Sequence, residues 1–250
     1  MTTRLPLARL IAVEARLFLR EPAAVFFAVF LPVALLLALG ATIPGFREPV
    51  PALGGNRVVD VQLPAMMTLL TVVTLALSTL PTALVVYRER GLRRMSTTPV
   101  RPGTLLAAQL VIYFAVSVVS VALILVLGNA VLGVPYPRAL GAFAGSYLLG
   151  ALTLFALGLW LAAVAPNSRV VQGAGSAAMF PLLFFAGMWL PRRLMPEVLR
   201  RISDLTPTGA LGQLFTDAFA GHPPEAFHLA VAAGWAVAAG LAAARMFRWE

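Results

Sequence analysis

The chain offers few residues that could do covalent or ligand chemistry. His222 and His228 are its only histidines, and neither sits in an H-E-x-x-H pattern or a carboxylate run. A zinc-type site therefore has no support, and His228 reads as a residue at the edge of an apolar segment. Gly173-Ala174-Gly175-Ser176-Ala177-Ala178 has the letters of a dinucleotide-binding turn, but no strand precedes it and it opens an apolar run. Small residues in such a run let helices approach closely. That is the reading taken for it, for Gly141-x-x-x-Gly145, and for the stripe Ala230, Gly234, Ala238 and Ala242. There is no G-x-S-x-G elbow and no phosphate-binding loop ending in Gly-Lys. Cys is absent, so thiol catalysis, thiolate metal sites and disulfides are excluded. No catalytic, cofactor-binding or metal-ligating residue is predicted, and ATP hydrolysis on a phosphate loop of this chain is excluded.

Two polar features remain. Thr68, Thr71, Thr74, Ser78, Thr79 and Thr82 fall on one broad face of a helix. Two readings stay open for this face. Thr71, Thr74, Ser78 and Thr82 line a mildly polar substrate path or subunit seam, or the hydroxyls simply bond within and between packed helices. The second feature is the segment Tyr87-Arg88-Glu89-Arg90-Gly91-Leu92-Arg93-Arg94-Met95-Ser96-Thr97-Thr98-Pro99-Val100, dense in Arg and bounded by apolar runs.

The elements that must hold these features are long and apolar. Asp, Glu, Lys and Arg are absent from 22–46, 61–87, 102–137, 139–168, 170–191 and 226–244. A membrane span needs about 20 apolar residues. Hydrophobic residues make up 60% of the chain and charged ones 12%, against about 45–50% and 25% in soluble domains. The expected fold is thus an all-α polytopic membrane protein with six transmembrane helices, forming a single membrane-embedded domain over 1–250. Short connections at 133–138 and 166–169 require spans three, four and five to be antiparallel neighbours.

All 19 basic residues are Arg, and the formal charge is +9. Because the Arg residues lie between apolar runs, they point to lipid headgroups and topology and not to nucleic acid. The side holding the N-terminus, 88–101, Arg169 and the C-terminus carries 12 of them and the opposite side 7. The positive-inside bias then puts both termini in the cytoplasm of a plasma-membrane protein. In 5–19, Leu7, Leu10, Ile11, Leu17 and Phe18 share one face, with Arg9, Arg16 and Arg20 largely elsewhere. This predicts an interfacial amphipathic helix within 1–21, ended at Glu21-Pro22. In the external connection 192–225, Leu194, Val198, Ile202 and Leu205 recur at helical spacing, followed by the apolar run Leu211 to Phe219. A short re-entrant helical pair before the last span is expected there. No intramembrane charge is expected, which argues against an ion-coupled carrier.

The 87–101 segment is similar to the cytoplasmic signature of the type-2 permease family of ABC transporters. That family shows a basic-acidic pair, a Gly, a Leu-plus-basic stretch and then Thr-Pro-Val; here Gly91-Leu92 stands where Gly-Thr-Leu is common. Phe180-Pro181 and Met188-Trp189-Leu190-Pro191 resemble the family's fifth-span exit, and drug-efflux permeases of the daunorubicin-exporter type are the nearest subgroup. The resemblance implies a membrane subunit of an ATP-driven exporter, not itself an enzyme. It binds no cofactor directly, ATP being used by two copies of a separate ABC ATPase. It pairs with itself or a related permease and moves an amphipathic drug-like metabolite, lipid or peptide. By the same resemblance Arg88, Glu89, Arg90, Gly91, Leu92, Arg93, Arg94 and Pro99 form the ATPase-coupling loop. The alternative is a secondary carrier driven by an ion gradient.

Overall fold

A computed structural model describes residues 7–91, 102–190 and 192–246. Helix α1 (Leu7–Leu19) is followed by α2 (Pro22–Thr42), α3 (Gln62–Glu89), α4 (Pro102–Leu132) and α5 (Leu140–Val164). Then come α6 (Ser168–Phe185), α7 (Glu197–Leu205), α8 (Pro207–Ala220) and α9 (Ala226–Met246). The only pairing of extended backbone among the described residues is an isolated bridge between Pro49 and Arg57. Each charge-free interval of the sequence has become one helix, with ends within a few residues of the flanking charges or prolines.

Five helices, α2, α3, α4, α5 and α9, are long and apolar enough to cross a membrane. The expected count was six. The interval 170–191 corresponds to α6, whose 18 residues begin at Ser168 and include Arg169, Gln172, Ser176 and Pro181. At 1.5 Å per residue it spans about 27 Å, but those polar groups keep it out of the apolar set.

The centre of the bundle is α3. Leu69, Val72, Val73, Leu75, Ala76 and Leu80 are all fully buried. Helices α4 and α9 are just as apolar but expose Val119, Val126, Val131, Val237 and Leu241 on their outer sides. An apolar outer surface is what a hydrocarbon solvent permits and water does not.

Helices α2 and α3 share a device dictated by sequence. Each contains a wide π-type turn, Phe26–Phe30 and Leu75–Thr79, followed at once by Leu-Pro: Leu31-Pro32 and Leu80-Pro81. A proline inside a helix lacks the N–H that would reach the carbonyl four residues earlier, and its ring crowds that carbonyl. Widening the preceding turn relieves the clash. The freed carbonyls must find other partners in an apolar setting. Ala28 O accepts from Ser120 Oγ of α4 at 3.0 Å. Leu77 O instead abuts Gly175 of α6, and its neighbour Ala76 O abuts Gly158 of α5. A Cβ built on Gly175 would lie 2.0 Å from Leu77 O, and one on Gly158 would lie 1.9 Å from Ala76 O. Backbone therefore packs on backbone, a geometry that admits only Gly and is compatible with weak Cα–H···O contacts.

The packing expectations need three corrections. Gly175 is a close-approach residue, but Gly173, Gly141 and Gly145 have nothing within 4 Å of where a Cβ would sit. In α9 the buried face is His228, Ala232, Ala239 and Ala243. The stripe Ala230, Gly234, Ala238 and Ala242 is turned away, because the contact with α5 falls on a different phase of the helix. The pair of short helices expected in 192–225 is present, as two helices of opposite character. Helix α7 exposes Val198, Ile202 and Leu205, whereas α8 buries Leu211, Leu214, Phe215 and Phe219 inside the bundle. Gly221 ends α8 at φ 86°, the left-handed conformation that suits Gly at a helix terminus.

Candidate functional site

A cavity of about 640 Å³ opens beside the π-type turns of α2 and α3. Its walls come from α1 (Glu14, Phe18), the break residue Glu21, α2 (Phe27, Leu31), α3 (Thr74, Ser78, Thr79, Thr82, Tyr87), α4 (Gln109, Tyr113) and α6 (Gln172, Ser176, Met179). This volume is within the usual range of ligand pockets, about 300–1,000 Å³.

The structure divides the hydroxyl row predicted on α3. Thr74, Ser78, Thr79 and Thr82 line the cavity. Thr68 and Thr71 do not: both are fully buried, bonding back to Pro64 O at 2.9 Å and Met67 O at 3.1 Å. Thr71 Oγ1 also lies 3.3 Å from Ser120 Oγ, so it is part of the α2–α3–α4 packing. Thr82 Oγ1 donates to Ser78 O at 2.6 Å, leaving its methyl and the Ser78 hydroxyl as the polar-apolar texture of that wall.

The least expected residue is Glu14. It lies on α1, is 6% exposed, and is the buried carboxylate among the described residues. Tyr87 Oη donates to Glu14 Oε1 at 2.6 Å, and Gln109 Nε2 donates to Glu14 Oε2 at 2.6 Å. Burial pushes its carboxyl above its ordinary value near 4.5, and the two hydrogen bonds only partly oppose this. Ion pairs among the described residues lie elsewhere, at Arg57–Asp60, Arg192–Asp204, Arg201–Glu197 and around His228. Sequence reasoning missed Glu14 because it sorted α1 into an apolar and a basic face. The signal was present: position 14 falls three or four residues from Leu10, Ile11, Leu17 and Phe18, in the middle of the apolar face.

The coupling residues begin at the same end of the bundle. Arg88 Nη1 donates to Ala162 O at 3.3 Å and Nη2 to Ala165 O, so its guanidinium caps the open carbonyls at the end of α5. Glu89 Oε1 accepts from the Ser168 N–H at 2.8 Å, at the start of α6. There a carboxylate meets the positive end of the helix dipole. Asn167 Oδ1 caps the same end by accepting from the Val170 N–H at 2.9 Å. Two adjacent side chains of opposite charge thus hold the two sides of the short α5–α6 turn. The side chain of Arg90, together with Leu92, Arg93, Arg94 and Pro99, lies outside the described residues.

At the opposite end Arg192 is paired with Asp204, and His228 Nε2 lies 3.4 Å from the same Asp204 Oδ1. Trp235 Nε1 donates to Leu205 O at 2.9 Å and pins α7 to α9. His228 is therefore buried beside this ion pair, at the start of α9. No group of His, Cys, Asp and Glu among the described residues could hold a metal ion.

A comparison with curated proteins returned no match. A family model described as ABC-2 family transporter protein matches residues 52–245. That stretch runs from the loop before α3 to the last turn of α9 and includes the α3–α4 connection and the α5–α6 corner. With the apolar helices and this match over most of its length, the chain belongs to the ABC-2 family of transporter proteins, as a multi-pass membrane permease.

Proposed function

We propose that this chain is the permease subunit of an ATP-driven exporter, with α6 serving as a sixth span beside the five apolar ones. Both termini face the cytoplasm. Two permease copies, identical or related, form the path, and two copies of a separate ATPase dock on the loops at 87–101. The cargo is amphipathic: a drug-like metabolite, a lipid or a peptide. ATP-driven closure of the ATPases displaces the loops and reshapes the cavity between α1, α2, α3 and α6.

The observation that carries this reading is the grip of Arg88 and Glu89 on the α5–α6 turn. The family's signature segment is rooted on α3, which lines the cavity, and the same root holds α5 and α6. A push on the loop would therefore reach the cavity walls through α3 and α6, with α5 held to both at the corner. The test is the double variant E89A/R93A in cells and in the purified complex. Loss of ATPase co-purification, or of efflux with the ATPase still bound, is expected. Retention of both would remove the coupling role.

Glu14 favours a second reading, because a buried carboxylate beside a cavity is what an ion-coupled carrier would need. Proteoliposomes holding this chain alone, with a proton gradient and no nucleotide, should show no uphill transport. Uphill transport there would favour the carrier.

A further inference from the structure

Glu14 is a buried acid to which the described residues supply only neutral donors. An isolated buried carboxylate is costly unless it is protonated or meets a cation. The tyrosine and amide that bind it use one acceptor position on each oxygen, and an ionised carboxylate has about four. Acceptor capacity is left over at the wall of a cavity whose other surfaces are aromatic, apolar and hydroxyl-bearing. Phe18 and Tyr113, packed edge to face at 5.8 Å, stand beside it. Aromatic rings and a carboxylate together suit an onium or protonated amine carried on an apolar body. Glu21 and the exposed Phe27 form the outer rim where α1 breaks into α2.

Resting on the exporter reading above, we infer that the cavity binds a free amphipathic cation, its positive group set against the Glu14 carboxylate and its apolar part against Phe27, Leu31 and the α3 hydroxyl wall. A neutral molecule of the same shape gains the apolar contacts but not the charge pairing, so discrimination between the two resides at Glu14.

The full chain, purified in dodecyl maltoside with empty micelles as the blank, is titrated with tetraphenylphosphonium and, separately, with uncharged triphenylphosphine oxide. Wild type should bind the phosphonium at least tenfold more tightly. E14Q should abolish that preference and leave the phosphine oxide unchanged, and E14D should restore part of it. S78F places a phenyl group on the α3 part of the cavity lining, whereas Glu14 belongs to α1, so it should weaken both ligands. It also keeps the test available if E14Q does not fold. Equal affinities in wild type, an equal loss of both ligands in E14Q, or unchanged binding in S78F would overturn the inference. Displacement of the phosphonium by stoichiometric phosphatidylethanolamine would assign the site to a lipid headgroup and overturn the free-cation occupant. The assay contains no ATPase, so its failure leaves the exporter reading intact, and failure of E89A/R93A to impair coupling leaves this one intact.

Discussion

Two charge clusters, one partly exposed and one buried, sit at opposite ends of the bundle and are built on opposite principles. Where α7 meets α9, Asp204 is paired with Arg192, so acid and base neutralise one another, and the His228 ring lies beside them. Where α1 meets α3 and α4, Glu14 is held by a phenol and an amide and has a cavity beside it. A compensated cluster fixes loops in place, and its cost is met within the chain. An uncompensated one leaves part of its desolvation cost outstanding, which a ligand can relieve. The α7–α9 end thus reads as structure and the α1 end as function.

The largest expected effect tests the frame that joins the two ends. G158A or G175A would force a Cβ to within about 2 Å of a carbonyl oxygen on α3, and overpacking of this kind costs about 3 kcal/mol or more when backbone cannot yield. Thermal unfolding in detergent should drop further for these variants than for any change at either cluster.

Next comes the compensated cluster. D204A strands Arg192 and leaves His228 with Glu225 alone. Breaking a fully buried pair costs 3–5 kcal/mol, and partial exposure of the Arg192–Asp204 pair lowers the expectation to about 2 kcal/mol. The double change D204A/R192M should recover part of the loss. If D204A alone is neutral, the two clusters do not differ in the way described.

The Glu14 cluster should reveal itself through pH. A carboxyl whose folded-state value is raised binds its proton more tightly when folded. Stability should therefore fall as pH rises from near the unfolded value of 4.5 through the higher folded value, and level off above it. E14Q should flatten that slope and be no less stable than wild type above it. The other titratable groups around the cavity are Glu21, Tyr87 and Tyr113. Phenols stay protonated over this range, and E21Q is the control for the exposed acid. A slope that persists in E14Q would assign it elsewhere.

The smallest stability effect is expected at E89Q, where a contact to the start of α6 is weakened by about 0.3–1 kcal/mol. Its use is in contrast: little change in unfolding temperature together with a large change in ATPase coupling would separate a transmitting contact from a structural one.

Much of the fold was legible because lipid imposes a simple rule, and the charge-free intervals mapped directly onto helices. The break at Glu21-Pro22 and the helices at 197–205 and 207–220 were legible for the same local reasons. The phase of packing was not. Ala230 and Ala232 are equally small, and only the position of α5 decides which is buried. The hydroxyl row of α3 was visible as a row, but its division into Thr71 on one side and Thr74, Ser78 and Thr82 on the other depends on where Ser120 lies. Glu14 was hidden by the habit of assigning every charge to the wet face of an amphipathic helix. The π-type turns were foreshadowed by Leu31-Pro32 and Leu80-Pro81, yet what packs on them lies far along the chain, Ser120 for the first and Gly158 and Gly175 for the second.

The brevity of the α5–α6 turn has a mechanical consequence. Only Ala165, Pro166 and Asn167 separate the two helices, and the Arg88–Glu89 grip spans them without slack. In the exporter reading proposed above, the corner would work as a fulcrum: torque applied at the root of α3 would be delivered to α5 and α6 within a single turn of helix. Lengthening that corner by a few glycines would lengthen the linkage while leaving every helix, and the cavity itself, intact.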